Sequence, residues 1–331
     1  MFLSLAKRVA AKALQPHLLR LVADAYHHPN LASHQRIRKA AQIWYGLARD
    51  GFLGRRVSRF FVEAVYQAQL DLFRRGSDLD LGTSPIGYED LVLHCRSSDA
   101  NSSLVYLYGF SDNLTYFALY RDHVRPGSIA IDVGANLGIH SLVLSRCVGR
   151  QGSVLAYEPS GALHDRLLRN IEVNHASNVV VRRIGLWERS GKVGFDPRAD
   201  DFNIGKGKMS PASRVQVEAR TVDEEAENLG TPIDLIKIDV EGAELAVLKG
   251  ARKTLSRHKP VLILEFAPDQ YRFKDLLDQI PYAVRHFTIP YTFWESLAPL
   301  ENLDFDKRAD LLIVPSEGSR AGSAAGPEES A

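Results

Sequence analysis

Apolar and polar positions change their rhythm along this chain, and the changes mark its elements. Between residues 128 and 266, short apolar runs alternate with amphipathic stretches of helical length. The runs predict strands at 128–133, 153–158, 178–183, 233–239 and 261–266. The intervening periodicity predicts helices at 137–147, 161–174 and 243–256. Short buried strands alternating with helices of ~10–15 residues indicate an α/β fold with a doubly wound, mostly parallel sheet. Phe287-Thr288-Ile289 and Leu311-Leu312-Ile313-Val314 are expected to close that sheet as an antiparallel pair. Upstream, 91–95 and 104–108 read as strands flanking a polar turn, and 115–122 as a helix entering the Pro126-Gly127 turn. Gly76 to Pro85 reads as a linker, and 184–232 as a less regular region.

The first 60 residues have a different character. Lys7, Arg8, Lys12, Arg20, Arg36, Arg38, Lys39, Arg49, Arg55, Arg56 and Arg59 face only Asp24 and Asp50. Leu3, Val9, Leu14, Leu18, Leu21 and Val22 recur near helical spacing, as do Ile43, Leu47, Phe60, Phe61, Val65 and Leu70. This pattern predicts a basic helical region at 1–80, packed on the following domain or offering a surface for peripheral membrane contact. Residues 81–315 are expected to form the main domain. From Ser316 the chain is mostly Gly, Ser, Ala and Glu with no large apolar side chain, so 316–331 is expected to be disordered.

Composition narrows the classes. A 45% hydrophobic content over 331 residues supports one substantial core with a smaller accessory region. The net charge of +1 gives no case for nucleic acid as a bulk partner. Cys95 and Cys147 lack metal-ligand spacing, which suits a reducing compartment. No apolar run reaches the ~18–20 residues of a membrane span. Charges follow the first apolar residues instead of preceding them, unlike a signal peptide. The expected location is cytoplasmic.

The candidate chemistry lies where strands end. Ile129-Ala130-Ile131-Asp132-Val133-Gly134-Ala135-Asn136-Leu137-Gly138 is a strand, an acid and a glycine-bearing turn leading to a helix. About twenty residues later a second strand stops at Glu158. Such units hold nucleosides, the second acid taking the ribose hydroxyls. Dinucleotide binders carry G-x-G-x-x-G against a pyrophosphate. Here the spacing is Gly134-x-x-x-Gly138, with a carboxylate at the mouth that would repel phosphate and favour a cationic ligand. S-adenosylmethionine is such a ligand. Asp132 is expected near its amino group, Gly134 and Gly138 to keep the backbone close, and Glu158 to bind its ribose.

A second cluster, Lys237-Ile238-Asp239-Val240-Glu241-Gly242, sits at another strand end. Ligands of open α/β sheets bind at carboxyl ends of strands, so Asp132, Glu158, Asp239 and Glu265 should rim one crevice. Asp239 is the first candidate for a general base and Glu241 the second, with Lys237 pairing with one of them or lowering an acceptor pKa. The alternative is that the carboxylates hold a divalent cation. His140 reads as a packed or surface residue, and 195–213 as a flap or an ordinary loop.

Asp132-Val133-Gly134-Ala135-Asn136-Leu137-Gly138, Tyr157-Glu158-Pro159, Asn170, Asn174, Arg220-Thr221-Val222-Asp223, and above all Leu235-Ile236-Lys237-Ile238-Asp239-Val240-Glu241-Gly242-Ala243-Glu244 resemble the FkbM family of S-adenosylmethionine-dependent methyltransferases. The resemblance runs over roughly 105–270. It implies a class I methyltransferase-like fold and O-methylation of a sugar, glycan or secondary-metabolite hydroxyl. It also places Asn136 in the cofactor turn and the adenine near Trp187, which would stack on it or plug the core. The competing readings are a non-catalytic scaffold with this fold, and a methyltransferase acting on a protein or lipid.

Overall fold

The computed structural model describes residues 78–109, 114–197, 204–289, 297–299 and 308–316, with isolated positions between 32 and 42 and at 306. Two compact units are present: 1–114 with 165–175 and 198–206, and the remainder. The expected N-terminal helices, apart from helical positions among 32–42, and the tail from 317 onward lie outside the described residues.

In the first unit, strands β1 (Asp80–Pro85) and β2 (Val92–Arg96) pair antiparallel, and helix α1 spans Ala100–Tyr108. Two expectations are corrected here. Part of the linker is a strand, with Leu81 and Ser84 buried against its neighbours. Residues 104–108, expected as a strand, belong to a helix. An apolar run of five is ambiguous between the two, and the caps decide. Asp99 Oδ1 accepts from Ser102 N at 2.8 Å, and Gly109 closes the helix at φ 75°. Asn170 and Asn174 clamp β2: their Oδ1 atoms accept from His94 N and Val92 N, both at 2.8 Å. The Arg38 guanidinium lies 4.6 Å above the Tyr106 ring, so at least one cation of the basic run packs inward.

The second unit carries the main sheet. Its strands are β3 (Ile129–Val133), β4 (Ser153–Tyr157), β5 (Val179–Arg182), β10 (Leu235–Ile238), β11 (Val261–Phe266), β12 (Val284–Ile289), β13 (Ala298–Pro299) and β14 (Ala309–Pro315). Their spatial order is β13-β12-β14-β11-β10-β3-β4-β5. β5, β4, β3, β10 and β11 run parallel, while β14 enters antiparallel between β11 and β12. Helices α2 (Leu114–His123), α3 (Ile139–Val148) and α4 (Gly161–Val173) precede or connect the first strands; α4 passes into the first unit at Asp165. The strand interiors read as unbroken apolar runs because both faces are covered, as with Ile131, Ile236 and Leu262 on one face and Ala130, Leu235 and Ile263 on the other.

The less regular region is a second small sheet of β6 (Gly185–Leu186), β7 (Gly191–Asp196), β8 (Lys208–Met209) and β9 (Gln216–Arg220), ordered β6-β9-β7-β8. Within the flap expected at 195–213, residues 195–196 and 208–209 are therefore paired strands. Helix α5 (Val222–Leu229) follows, capped by Thr221 Oγ1 accepting from Glu224 N. The helix expected at 243–256 is two helices, α6 (Glu244–Lys249) and α7 (Arg252–His258). Between them Gly250 passes so near the Trp187 carbonyl that a Cβ would lie 2.1 Å from its oxygen. Helix α8 (Phe273–Leu277) precedes β12.

Candidate active site

Strand order reverses between β3 and β10: the chain leaves β3 toward β4 and β5, then returns to lay β10 and β11 on the other side. Ligands of open α/β sheets bind outside such a switch point. The two loops flanking it carry Gly134 and Asp239. They approach so closely that a Cβ on Gly134 would lie 2.0 Å from the Asp239 carbonyl oxygen, and Gly134 holds φ 78°. Gly134 is thus required by the crossing of two strand ends, beyond any approach to a ligand.

Parallel register sets Lys237 directly beside Asp132, so the two side chains leave the sheet on one face. Neither reaches solvent: Lys237 is 3% exposed and Asp132 0%. Lys237 Nζ lies 3.2 Å from Asp132 Oδ1 and 3.6 Å from Asp239 Oδ2, and donates to the Gly134 carbonyl at 3.1 Å. Burial alone would discharge the lysine, but Asp132, Asp239 and Glu158 outweigh it and raise its pKa. Ser141 Oγ donates to Asp132 Oδ2 at 2.6 Å. Asp132 is therefore held inside the turn. Asp239 stands at the mouth, its side chain 51% exposed.

Glu158 is buried, and its two oxygens accept from Asn136 N and Ser160 N, each at 2.9 Å. Burial pushes its pKa up to about 7, against the pull of those N–H groups. Each oxygen keeps another lone pair for a ligand hydroxyl. Asn136 sits at φ 53° beside Gly138 at φ 89°, and its buried Oδ1 has no hydrogen-bond partner. An orphaned acceptor inside a nucleoside-type turn fits a ligand donor there. Trp187 packs against Phe195, Met209, Ala219 and Ala243 in the small-sheet cluster.

Glu265 lies at the β11 end, where burial and the neighbouring Asp239 raise its pKa to about 8. Glu241, in the left-handed region at φ 55°, faces Arg308 at 3.7 Å. The Arg308 guanidinium also reaches Glu265 and Asp269, both at 3.3 Å. Arg308 was not singled out from sequence. Antiparallel β14 returns it to the carboxyl ends of the parallel strands, a pairing no local pattern announces. His140 Nδ1 lies 2.7 Å from the Tyr120 hydroxyl, and burial, helped by the Lys237 charge, pushes its pKa down to about 3. It is a neutral group of the rim. Among the described residues, no three His, Cys, Asp or Glu side chains are grouped to hold a metal ion, and no helix is long and apolar enough to cross a membrane.

A parallel sheet reversed about β3, a glycine turn with an acid on each flanking strand and one inserted antiparallel strand define a class I methyltransferase fold. A model of the methyltransferase FkbM domain matches residues 132–288. The methyltransferase sdnD of Sordaria araneosa is 30% identical over 191 residues, covering 42% of this chain and 73% of that protein. The chain belongs to the FkbM methyltransferase family. It is also 33% identical over 146 residues to the hexuronic acid methyltransferase AglP of Haloferax volcanii, 44% of this chain and 59% of the relative. Of the first two curated relatives it matches, the chain spans 59% and 58% of their length. A solved methyltransferase FkbM from Methylobacillus flagellatus is 21% identical, over 64% of this chain and 54% of that one, with a TM-score of 0.37.

Proposed function

We propose that this chain is an S-adenosylmethionine-dependent O-methyltransferase acting on a hydroxyl of a sugar, glycan or secondary metabolite. One observation carries the reading. A buried lysine ties Asp132 and Asp239 together at the switch point and leaves Asp239 as the half-exposed carboxylate beside the glycine turn. Family membership supports the reaction class. The name of one relative, a hexuronic acid methyltransferase, supports a sugar acceptor.

The cofactor would supply an activated methyl group on a sulfonium. Glu158 would accept from its ribose hydroxyls and the orphaned Asn136 Oδ1 from a cofactor donor, while Gly134 and Gly138 shape the turn. Asp132 and Lys237 act as positioning residues, since both are spent on the turn and on each other. Asp239 takes the proton of the acceptor hydroxyl, and Glu241 helps to hold Arg308 at the rim. Trp187 is left to its packing cluster. Alignment of donor and acceptor supplies ~7–11 kcal/mol of barrier reduction, and a general base about 10²–10⁴-fold more.

Calorimetry with S-adenosylmethionine and radiolabelled methyl transfer to glycan, lipid and protein fractions test the proposal. Asp239→Asn should lose at least ~10²-fold in rate while cofactor affinity stays within about 3-fold. Failure to bind the cofactor, or an Asp239→Asn enzyme at full rate, would overturn the respective half of the reading.

A further inference from the structure

Asp239 N still donates to the Val133 carbonyl at 3.1 Å, and past it the loop leaves the strand pairing. Glu241 and Gly242 both take positive φ, 55° and 98°. What holds it is Glu244, on the first turn of α6 and 0% exposed. Its Oε1 accepts from Val240 N at 3.1 Å and from Gly242 N at 3.2 Å. Its Oε2 lies 3.2 Å from the Tyr271 hydroxyl, which also donates to the Glu265 carbonyl at 2.9 Å.

Hydrogens must be counted along this chain of groups. A phenol carries one, and the Glu265 carbonyl can only accept, so the shorter bond takes it. The hydrogen between Tyr271 and Glu244 then has to come from the carboxyl. Charge points the same way. The ionisable groups that act on Glu244 are Asp239 from the loop and Glu265 and Tyr271 from the β11 side, while Glu241 and Arg308 act on Glu265. The one guanidinium nearby is already shared by Glu241, Glu265 and Asp269, and the Asp239 charge disfavours a second buried negative charge beside it.

We propose that Glu244 is a positioning residue that works as a neutral carboxylic acid, clamping the Asp239 loop by two backbone N–H groups and tying it through Tyr271 to β11. Burial, with the Asp239 charge beside it, shifts its titration upward, against the backbone N–H groups of Glu244 itself, Val240 and Gly242. The inference rests on the reading of Asp239 as the base. An amide can reproduce every bond of the neutral acid: its oxygen accepts from the two N–H groups and its NH₂ donates to Tyr271.

Three variants and one spectrum test it. Glu244→Gln is expected to keep kcat within about 3-fold and leave the acid limb of the pH–rate profile in place. Glu244→Ala should lower kcat by roughly 10-fold or more, the cost of one to two hydrogen bonds, with cofactor affinity unchanged. Should Glu244→Ala not fold, Tyr271→Phe removes the acceptor of the carboxyl hydrogen together with the bond to the Glu265 carbonyl, and should lower kcat by about 3- to 10-fold. An acid limb moved down by more than about half a unit in Glu244→Gln would reveal an ionised glutamate and overturn the proposal. A folded Glu244→Ala or Tyr271→Phe enzyme at parental rate would overturn the clamp. Carbon-13 NMR of glutamate-labelled protein reads the proton itself. The carboxyl resonance missing from Glu244→Gln should sit at its protonated position at pH 7. That readout needs no methyl transfer, so an ionised Glu244 is distinguishable from an inactive enzyme.

Discussion

Replacing Lys237 by methionine gives the most direct measure of how the switch point is held. The side chain is kept long and apolar, so packing changes little, and the loss is electrostatic. Asp132, with no solvent contact, would keep Ser141 Oγ at 2.6 Å but lose its cation at 3.2 Å. The Gly134 carbonyl would lose its donor at 3.1 Å. Removing one partner of a buried pair costs about 3–5 kcal/mol, because a charge is left uncompensated. Against a total stability of ~5–15 kcal/mol, this is a large fraction. Adding Asp132→Asn to Lys237→Met removes the stranded charge while leaving an oxygen for Ser141. The double variant is therefore expected to recover about 2 kcal/mol or more of the loss. Urea unfolding, with the slope checked for constancy, reads both values. If Lys237→Met costs under ~1 kcal/mol, or if the second substitution adds its own loss without recovery, the buried ion pair does not hold the turn.

Two further outcomes concern stability. Glu158 titrates at about 7 in the fold and near 4.5 when unfolded, so between those values the folded chain keeps a proton that the unfolded chain has lost. Stability should therefore fall as pH rises through this window, by about 3 kcal/mol from this group, and Glu158→Gln should flatten the fall in denaturation series; a parental curve that does not fall relative to the variant's would refute it. Gly134→Ala meets the Asp239 carbonyl oxygen and must also hold φ 78°, so it should cost about 2 kcal/mol or more, and an unchanged melting temperature would sink the close-approach argument.

The five parallel strands were legible because burial on both faces leaves unbroken apolar runs, and so was β14, whereas β12 is only partly buried and showed itself through Phe287-Thr288-Ile289 alone. What failed did so where capping residues, distant contacts or very short strands decide. Residues 104–108 have the composition of a strand, but Asp99 and Gly109 cap them as a helix. At the break, Gly250 is required by the Trp187 carbonyl, more than sixty positions away in sequence. The small sheet at 185–220 is built from strands as short as two residues, below the length at which periodicity speaks.

The site divides along the same line. An acid at the end of four of the five parallel strands is a local signal, since the strand itself carries the side chain to the rim. The partners that fix what those acids can do arrive from elsewhere. Ser141 comes from the helix after the turn, Tyr271 from beyond β11 and Arg308 from the approach to an antiparallel strand. Lys237 shows the consequence. By motif it stands with Asp239 and Glu241 as one catalytic triplet. In-register pairing with β3 instead turns it inward onto Asp132, and only Asp239 is left half-exposed at the mouth. A strand alternates its faces, so Lys237 and Asp239 share one side of β10 by periodicity alone. Which of the two reaches solvent depends on the neighbouring strand, because a buried carboxylate on β3 demands a buried cation beside it.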